Sequence, residues 1–295
     1  MLPSMHPNGL VCVTFRSLSK IARNLHYSRR RKNTINPEPV EEKKIDIEGI
    51  DINYVQVGTG PHHILLTPGA LGSIWTDFKP QIDHLNKSKF TLVAWDPPGY
   101  GKSRPPKRSF SPGFYYRDAD FGVKLMEKLG IGNYSLLGWN NGGTSSIIMA
   151  AKQPSKVMNL VVWGSYTYIT ENEAIALKGF RDHTLIPPRL KNPYIDLYGE
   201  EHYAELWTKW IDATIAGYNS ETRGDICTHL LPNIICPTLI LHGWKDINIS
   251  MEHYQFLANS IQNAKFFTFE EGKHYLHLQF WKEFNRIIEY FLLKE

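Results

Sequence analysis

The chain has 295 residues, 42% of them hydrophobic and 13% aromatic, and a formal net charge of +4. That composition fits one large globular domain with an insertion, and no stretch approaches the roughly 18 to 20 apolar residues of a membrane span. Cys12, Cys227 and Cys236 make neither a disulfide framework nor a Cys-x-x-Cys metal pair, and fit a reduced intracellular compartment.

The charge is unevenly spread. Residues 1–37 hold seven basic side chains (Arg16, Lys20, Arg23, Arg29, Arg30, Arg31, Lys32) and no acid, which leaves 26 basic against 29 acidic residues in the rest. A body of net −3 does not suggest nucleic-acid binding. The leader, residues 1–40, is also rich in Ser and Asn, with one amphipathic stretch from Phe15 to Leu25. It reads as a mitochondrial transit peptide, or else as a disordered basic tail on a cytoplasmic protein. Arg29–Lys32 as a nuclear-import or phosphate-binding patch ranks below the transit reading.

Past Pro39, residues 44–55 alternate apolar and polar around Gly49, the pattern of a half-buried hairpin. Six apolar runs follow, at 63–67, 90–95, 134–137, 160–163, 238–241 and 265–269, each read as a buried strand. Helical patterns over 117–129, 144–153 and 281–293 lie between or after them. Strands alternating with helices predict a mostly parallel sheet with flanking helices, made mixed by the hairpin. Residues 168–233 break the alternation with prolines and a helical pattern at 200–217. They are expected to form a helical cap on a core made of 41–167 and 234–295. Ligands bind outside the carboxyl ends of strands in such sheets, so this insertion should roof the pocket. There is no internal repeat.

The residues at these strand ends fit one mechanism. Gly138-Trp139-Asn140-Asn141-Gly142 has the frame of a nucleophile elbow, Gly-x-Ser-x-Gly, after a buried strand. The central residue is Asn140, whose amide has no hydroxyl for a base to deprotonate. Pro68–Ser73 is a Gly-rich turn suited to aim a backbone N–H, taken as that of Ala70, into an oxyanion hole. The second donor would be the N–H of Asn141, the residue after the elbow centre. Asp246 in His242-Gly243-Trp244-Lys245-Asp246 and His274 in Glu271-Gly272-Lys273-His274 follow the fifth and sixth apolar runs. The acid would orient the imidazole, and the imidazole would act as base. The chain order of elbow, acid, histidine is that of α/β-hydrolases.

His242 reads as structural, polar-bonded near a strand end, and Asp96 as a turn residue shaping its loop. His277 competes with His274 for the role of base. Ser73, Ser145, Ser146 and Cys227 lack the elbow geometry that exposes a nucleophile. No cofactor and no metal site is expected.

On these motifs, and on Leu65–Ser73, Val93–Pro106, Ser135–Trp139, Ile240–Gly243 and Glu271–Leu278, the chain resembles the valacyclovir hydrolase (biphenyl hydrolase-like) family of the α/β-hydrolase fold. The resemblance runs from about residue 44 to the end. It implies hydrolysis of α-amino-acid esters and related small esters or lactones, without a cofactor, in mitochondria. By position it places the family's nucleophile at Asn140, its acid at Asp246, its base at His274, and its substrate-binding acidic residue at Asn141. Three readings stay open: a hydrolase whose serine chemistry is lost or strongly reduced, leaving ligand or partner binding; an active enzyme using water activated by His274, or deamidated Asn140 or Asn141; or a variant of an active serine enzyme. The ligand would be a small ester or amino-acid ester.

Overall fold

Five of the six apolar runs are strands buried on nearly every residue. The sixth, 265–269, expected to be buried, is a strand at the sheet edge with Lys265 exposed and Phe266 and Thr268 half-buried. The computed structural model describes residues 40–294, so the basic leader lies outside the described residues. The strands are β1 (Glu42–Ile47), β2 (Ile50–Val57), β3 (His62–Thr67), β4 (Phe90–Trp95), β5 (Tyr134–Trp139), β6 (Val157–Trp163), β7 (Thr238–Gly243) and β8 (Ala264–Phe269). They form one eight-stranded sheet in the order β1-β2-β4-β3-β5-β6-β7-β8. The first two pairings, β1 with β2 and β2 with β4, are antiparallel, and the rest are parallel. Glu48 and Gly49 turn the hairpin with φ of 56° and 80°, the positive-φ pair that a tight two-residue hairpin loop requires.

The helices are α1 (Ile74–His84), α2 (Phe114–Lys128), α3 (Asn141–Lys152), α4 (Glu171–Gly179), α5 (Pro188–Tyr198), α6 (Glu200–Tyr218), α7 (Met251–Ser260), α8 (Leu276–Gln279) and α9 (Trp281–Leu292). Side-chain alternation divides the core into two layers. Leu65, Val93, Leu136, Val162 and Ile240 pack with Leu125 and Met126 of α2, Ile147 and Ile148 of α3, and Leu257 of α7. Their strand neighbours Ile64, Leu92, Leu137, Val161 and Leu241 pack instead with Phe78 and Ile82 of α1 and Phe284 and Ile288 of α9.

Outside the segment between β6 and β7, three helices have no counterpart among the helical patterns of the sequence: α1, α7 and the four-residue α8. Ser73 starts α1 through a capping box with Thr76, and Pro80 within it masks the helical pattern. The short helix α7 begins after Ser250. Helices α2 and α3 each start three residues before their expected positions.

Strand order reverses between β3 and β5, so the turn after β3 and the turn after β5 open into one crevice. Between β6 and β7 the chain runs through α4, α5, α6 and a 3-10 turn at Thr228–Asn233. The ends of this segment meet at an antiparallel bridge between Tyr168 and Asp225. Its Tyr198 hydroxyl donates to Leu71 O (2.9 Å) and accepts from Gly101 N (2.9 Å), tying α5 to the loops after β3 and β4.

Two buried carboxyls brace the turn after β3. Asp77 accepts Gly69 N–H at 2.9 Å and the Thr76 hydroxyl at 2.7 Å. Asp96 accepts the N–H groups of Ile74 (2.9 Å) and Lys102 (2.8 Å) and the Asn53 amide (2.9 Å), which is the loop-shaping part expected of it. Burial outweighs these hydrogen bonds and pushes Asp77 up to about 7 and Asp96 up to about 6.

Two expectations follow. A Cβ at Gly142 would lie 2.2 Å from Thr67 O and 2.3 Å from Pro68 O. Backbone oxygens in a sheet cannot step aside, so Gly142→Ala should cost about 1–3 kcal/mol in urea denaturation; an unchanged midpoint would show that the turn is slack. The raised carboxyls bind protons more tightly folded than unfolded, so their stabilisation is full below about pH 4 and is lost as pH rises through about 6 to 7. The stability of Asp77→Asn relative to the native chain should therefore increase from about pH 5 to about pH 8; thermal melts showing a flat or falling difference would contradict this.

Candidate active site

The turn between β5 and α3 is held by crowding. A Cβ on Gly138 would lie 2.6 Å from Gly143 Cα, and one on Gly143 would lie 1.7 Å from Ser165 Oγ. Only bare Cα atoms let the strand double back into the helix this tightly. Asn140 sits at the apex with φ 54° and ψ −123°, a sparsely populated conformation for a residue with a side chain. Its N–H donates to Trp163 O at 3.0 Å, and its carbonyl accepts from Gly143 N at 3.0 Å and Thr144 N at 3.2 Å.

The Asn140 side chain is bonded at both ends. Its Oδ1 accepts the Ala70 N–H at 3.1 Å, and its Nδ2 lies 3.1 Å from His274 Nε2. His274, in the loop after β8, places Nδ1 2.9 Å from Asp246 Oδ2. The Asp246 Oδ1 accepts Asn248 N (2.8 Å) and Ile249 N (3.2 Å). Burial alone would push the Asp246 carboxyl up; the facing imidazole and these donors outweigh it and hold the group below its ordinary value. A carboxylate accepts only, so His274 Nδ1 carries a proton. With the Asn140 oxygen held by the Ala70 N–H, the amide nitrogen is the atom that faces Nε2, and it can donate there only to the lone pair of a neutral ring. The amide N–H of Asn140 points into that lone pair. The same network fixes the amide orientation, with oxygen toward the N–H of Ala70 and nitrogen toward the imidazole.

Packing fixes the imidazole too. Its ring lies 5.4 Å from that of Trp139 and 5.6 Å from that of Tyr275. A Cβ on Gly164 would come within 2.9 Å of His274 Cε1. Asn140 and His274 are each 8% exposed.

Asn141 opens α3. Its N–H has no hydrogen-bond partner among the described residues, and its side-chain Oδ1 accepts from the Tyr166 hydroxyl at 3.1 Å. Tyr166 is in turn 3.0 Å from the Tyr115 hydroxyl. The structure thus brings Ala70, Asn140, Asn141, Asp246 and His274 into one cluster.

The other candidates are placed apart. Ser73 caps α1. The Ser145 hydroxyl donates to Tyr115 O at 3.1 Å, and Ser146 Oγ is buried under Gly138. Cys227 is buried and its thiol is pushed up by burial. His277 lies in the layer of α1 and α9, where it accepts from Trp163 Nε1 at 2.9 Å; burial pushes it down to about 3. His242 is buried and structural, but the polar bond expected of it is not made at Nδ1. Its ring lies 3.9 Å from that of Tyr254, its Nδ1 is buried without a partner, and burial pushes it down to about 4.

Sequence reasoning missed Asp77, Tyr115 and Tyr166. Tyr166 had a usable signal, since it follows the end of β6 just as the other site residues follow theirs. Among the described residues no group of three or more His, Cys, Asp or Glu is placed to hold a metal ion, and no helix is long and apolar enough to cross a membrane. A cavity of about 330 Å³ opens nearby, between the start of α1, helix α5 and α8, lined in part by Thr76, Arg189, Tyr194, Tyr275 and Gln279. Asn140 and His274 do not line it.

A family profile described as alpha/beta hydrolase fold matches residues 62–184. The chain is 45% identical to the mouse protein serine hydrolase BPHL, covering 86% of this chain and 87% of that protein. It is 41% identical to human serine hydrolase BPHL, covering 93% and 94%. Among solved structures it resembles MGS-M2, an α/β hydrolase from a deep-sea metagenome library, at TM-score 0.69 and 20% identity, over 86% of this chain and 98% of that one. The sheet order, the elbow turn and this likeness over most of the chain agree: the chain belongs to the biphenyl hydrolase-like (valacyclovir hydrolase) family of the α/β-hydrolases.

Proposed function

We propose that this chain binds small esters or related acids in the pocket of an ester hydrolase, and that serine-type hydrolysis is lost or strongly reduced because Asn140 stands where the family's nucleophile belongs. The observation that carries this reading is the Asn140 amide itself, which occupies Ala70 N–H with its oxygen and faces His274 Nε2 with its nitrogen. An amide nitrogen is delocalised and does not attack a carbonyl. The same contacts take up the two groups that would serve a different nucleophile: the lone pair that would accept a proton from water, and one N–H that would meet an oxyanion. Removing a nucleophile of this kind costs about six decades in kcat, or about 8 kcal/mol of barrier.

In this reading Asp246, His274 and the N–H of Asn141 are retained parts of the family's machinery, and Asn141 contacts the ligand in place of an acidic residue. The loss of that charge weakens attraction for an ammonium by an amount on the order of a few kcal/mol. The seven basic residues of the leader support delivery to mitochondria.

Asn140→Ser should restore a hydroxyl within reach of His274, so a fluorophosphonate probe should label that variant and leave the native chain unlabelled, with p-nitrophenyl acetate turnover rising in parallel. Labelling of the native chain, or native turnover equal to that of Asn140→Ser and abolished by His274→Ala, would overturn the proposal. Intact mass of aged native protein should show no deamidation. A shift of about one dalton, which is the mass change of amide to acid, mapped to Asn140 and accompanied by rising turnover, would favour the carboxylate-nucleophile route instead.

A further inference from the structure

The turn after β3 is pinned at four successive residues. Asp77 of α1 accepts the Gly69 N–H at 2.9 Å, and Asn140 Oδ1 accepts the Ala70 N–H at 3.1 Å. The Gly72 N–H closes the turn on Gly69 O at 3.1 Å. Leu71 offers its carbonyl to the Tyr198 hydroxyl of α5 at 2.9 Å. Among the described residues, that is the one hydrogen bond reaching residues 69–72 from the segment between β6 and β7. Leu71 is also where the turn most needs holding. Its φ is 60°, at the third position of a turn closed from Gly72 to Gly69, where a positive φ is ordinarily met by glycine. A leucine is strained there, because its Cβ crowds the backbone. Leu71 is 2% exposed and packs in the core, so packing keeps a residue that the backbone resists. Such a conformation persists only where the surroundings over-determine it.

The Tyr198 hydroxyl is oriented to supply that restraint. The Gly101 N–H can only donate and lies 2.9 Å from the hydroxyl oxygen, so the hydroxyl accepts there and its own proton goes to Leu71 O. Gly101 is a firm post. Asp96 accepts from the next N–H, that of Lys102, at 2.8 Å, and from Ile74 N, just past the turn, at 2.9 Å. Arg104 grips the tyrosine from a further side. Its guanidinium lies 4.8 Å from the centre of the Tyr198 ring, and its Nε donates to Gly101 O at 2.7 Å. The hydroxyl that meets Leu71 is thus held in one place by the loop after β4.

We propose that Tyr198 is a positioning residue for the Ala70 N–H: its hydroxyl holds Leu71 at positive φ and thereby keeps the donor, one residue earlier, aimed at the elbow apex. Helix α5, which also lines the nearby cavity through Arg189 and Tyr194, then takes part in shaping the site's donor. This goes beyond the reading above. It uses only the Ala70 N–H as a donor of the site, and it holds whether or not the native chain turns anything over.

The test is amide hydrogen exchange and nitrogen-15 NMR of the full native chain against Tyr198→Phe, which keeps the ring and removes the hydroxyl. Ala70 and Gly72 should exchange about tenfold or more faster in the variant, beyond any change at Leu65 and Leu66 of β3, since one buried hydrogen bond is worth about that factor. The Ala70 resonance should shift as well. Tyr168→Phe is the control. It removes a hydroxyl bond of the same segment, to Glu252 at 3.0 Å, that does not touch the turn, and it should leave Ala70 unmoved. Arg104→Gln, which takes the cation off the Tyr198 ring, serves if Tyr198→Phe fails to fold, and should speed Ala70 exchange about threefold. Unchanged Ala70 exchange in the folded variant, an equal change at Leu65 and Leu66, or an equal response to Tyr168→Phe would overturn the assignment. In the Asn140→Ser background, Tyr198→Phe should lower kcat for p-nitrophenyl acetate about tenfold with KM unchanged; a change in KM alone would also overturn it. An inactive Asn140→Ser parent, or fluorophosphonate labelling of the native chain, would overturn the lost-serine reading and leave this one to the Ala70 amide.

Discussion

The centre of this molecule is a single amide bonded at both ends. Asn140 Oδ1 holds the N–H of Ala70, and Asn140 Nδ2 faces Nε2 of His274, which is oriented in turn by Asp246. Three loops from three strand ends are joined through one side chain. An apex hydroxyl would leave the Ala70 donor free and would have a proton to give to the imidazole. The amide does neither. It satisfies the donor and the lone pair with its own atoms and closes the polar circuit inside the protein.

The scaffold around that amide is retained because packing demands it. The glycines of the elbow are required by contacts of 1.7 to 2.6 Å that any Cβ would make, whether or not chemistry occurs at the apex. The positive φ of Asn140 follows from the same turn. Asp77 and Asp96 brace the turn after β3 at the expense of burying two carboxyls. Tyr198 then ties the segment between β6 and β7 to Leu71 in that turn. Fold and site share these contacts, so the elbow geometry does not depend on which side chain stands at its apex.

Much of this was legible in the chain itself. The inner strands show as apolar runs because both faces are buried, and the break in alternation after Tyr168 marks the helical segment. Ala70, Asn140, Asn141, Asp246 and His274 could be placed together from motif order alone, because each follows a strand end on the same edge of a parallel sheet. Helix α1 was hidden by Pro80 and by the polar residues Asp77 and Gln81 on its buried side. The same masking hides Asp77 as the carboxyl beneath the turn after β3. His242 is structural, as its place near a strand end suggests, but it packs on an aromatic ring from α7 with no partner at Nδ1, which no local pattern reveals. The bonding of Asn140 at both ends is a matter of loop geometry, and nothing in the spacing of residues 70, 140 and 274 foretells it.

The closed polar circuit around Asn140 depends most directly on the state of the His274 imidazole. Nitrogen-15 NMR of the native chain should find His274 protonated at Nδ1 and unprotonated at Nε2, with a through-hydrogen-bond coupling from the Asn140 side-chain amide to Nε2. Replacing Asn140 by Ala should abolish the coupling and move the Nε2 resonance to that of a water-bonded imidazole. A native spectrum with no such coupling, and with Nε2 already matching the Asn140→Ala variant, would mean that the lone pair is free for water, and the central claim would be contradicted.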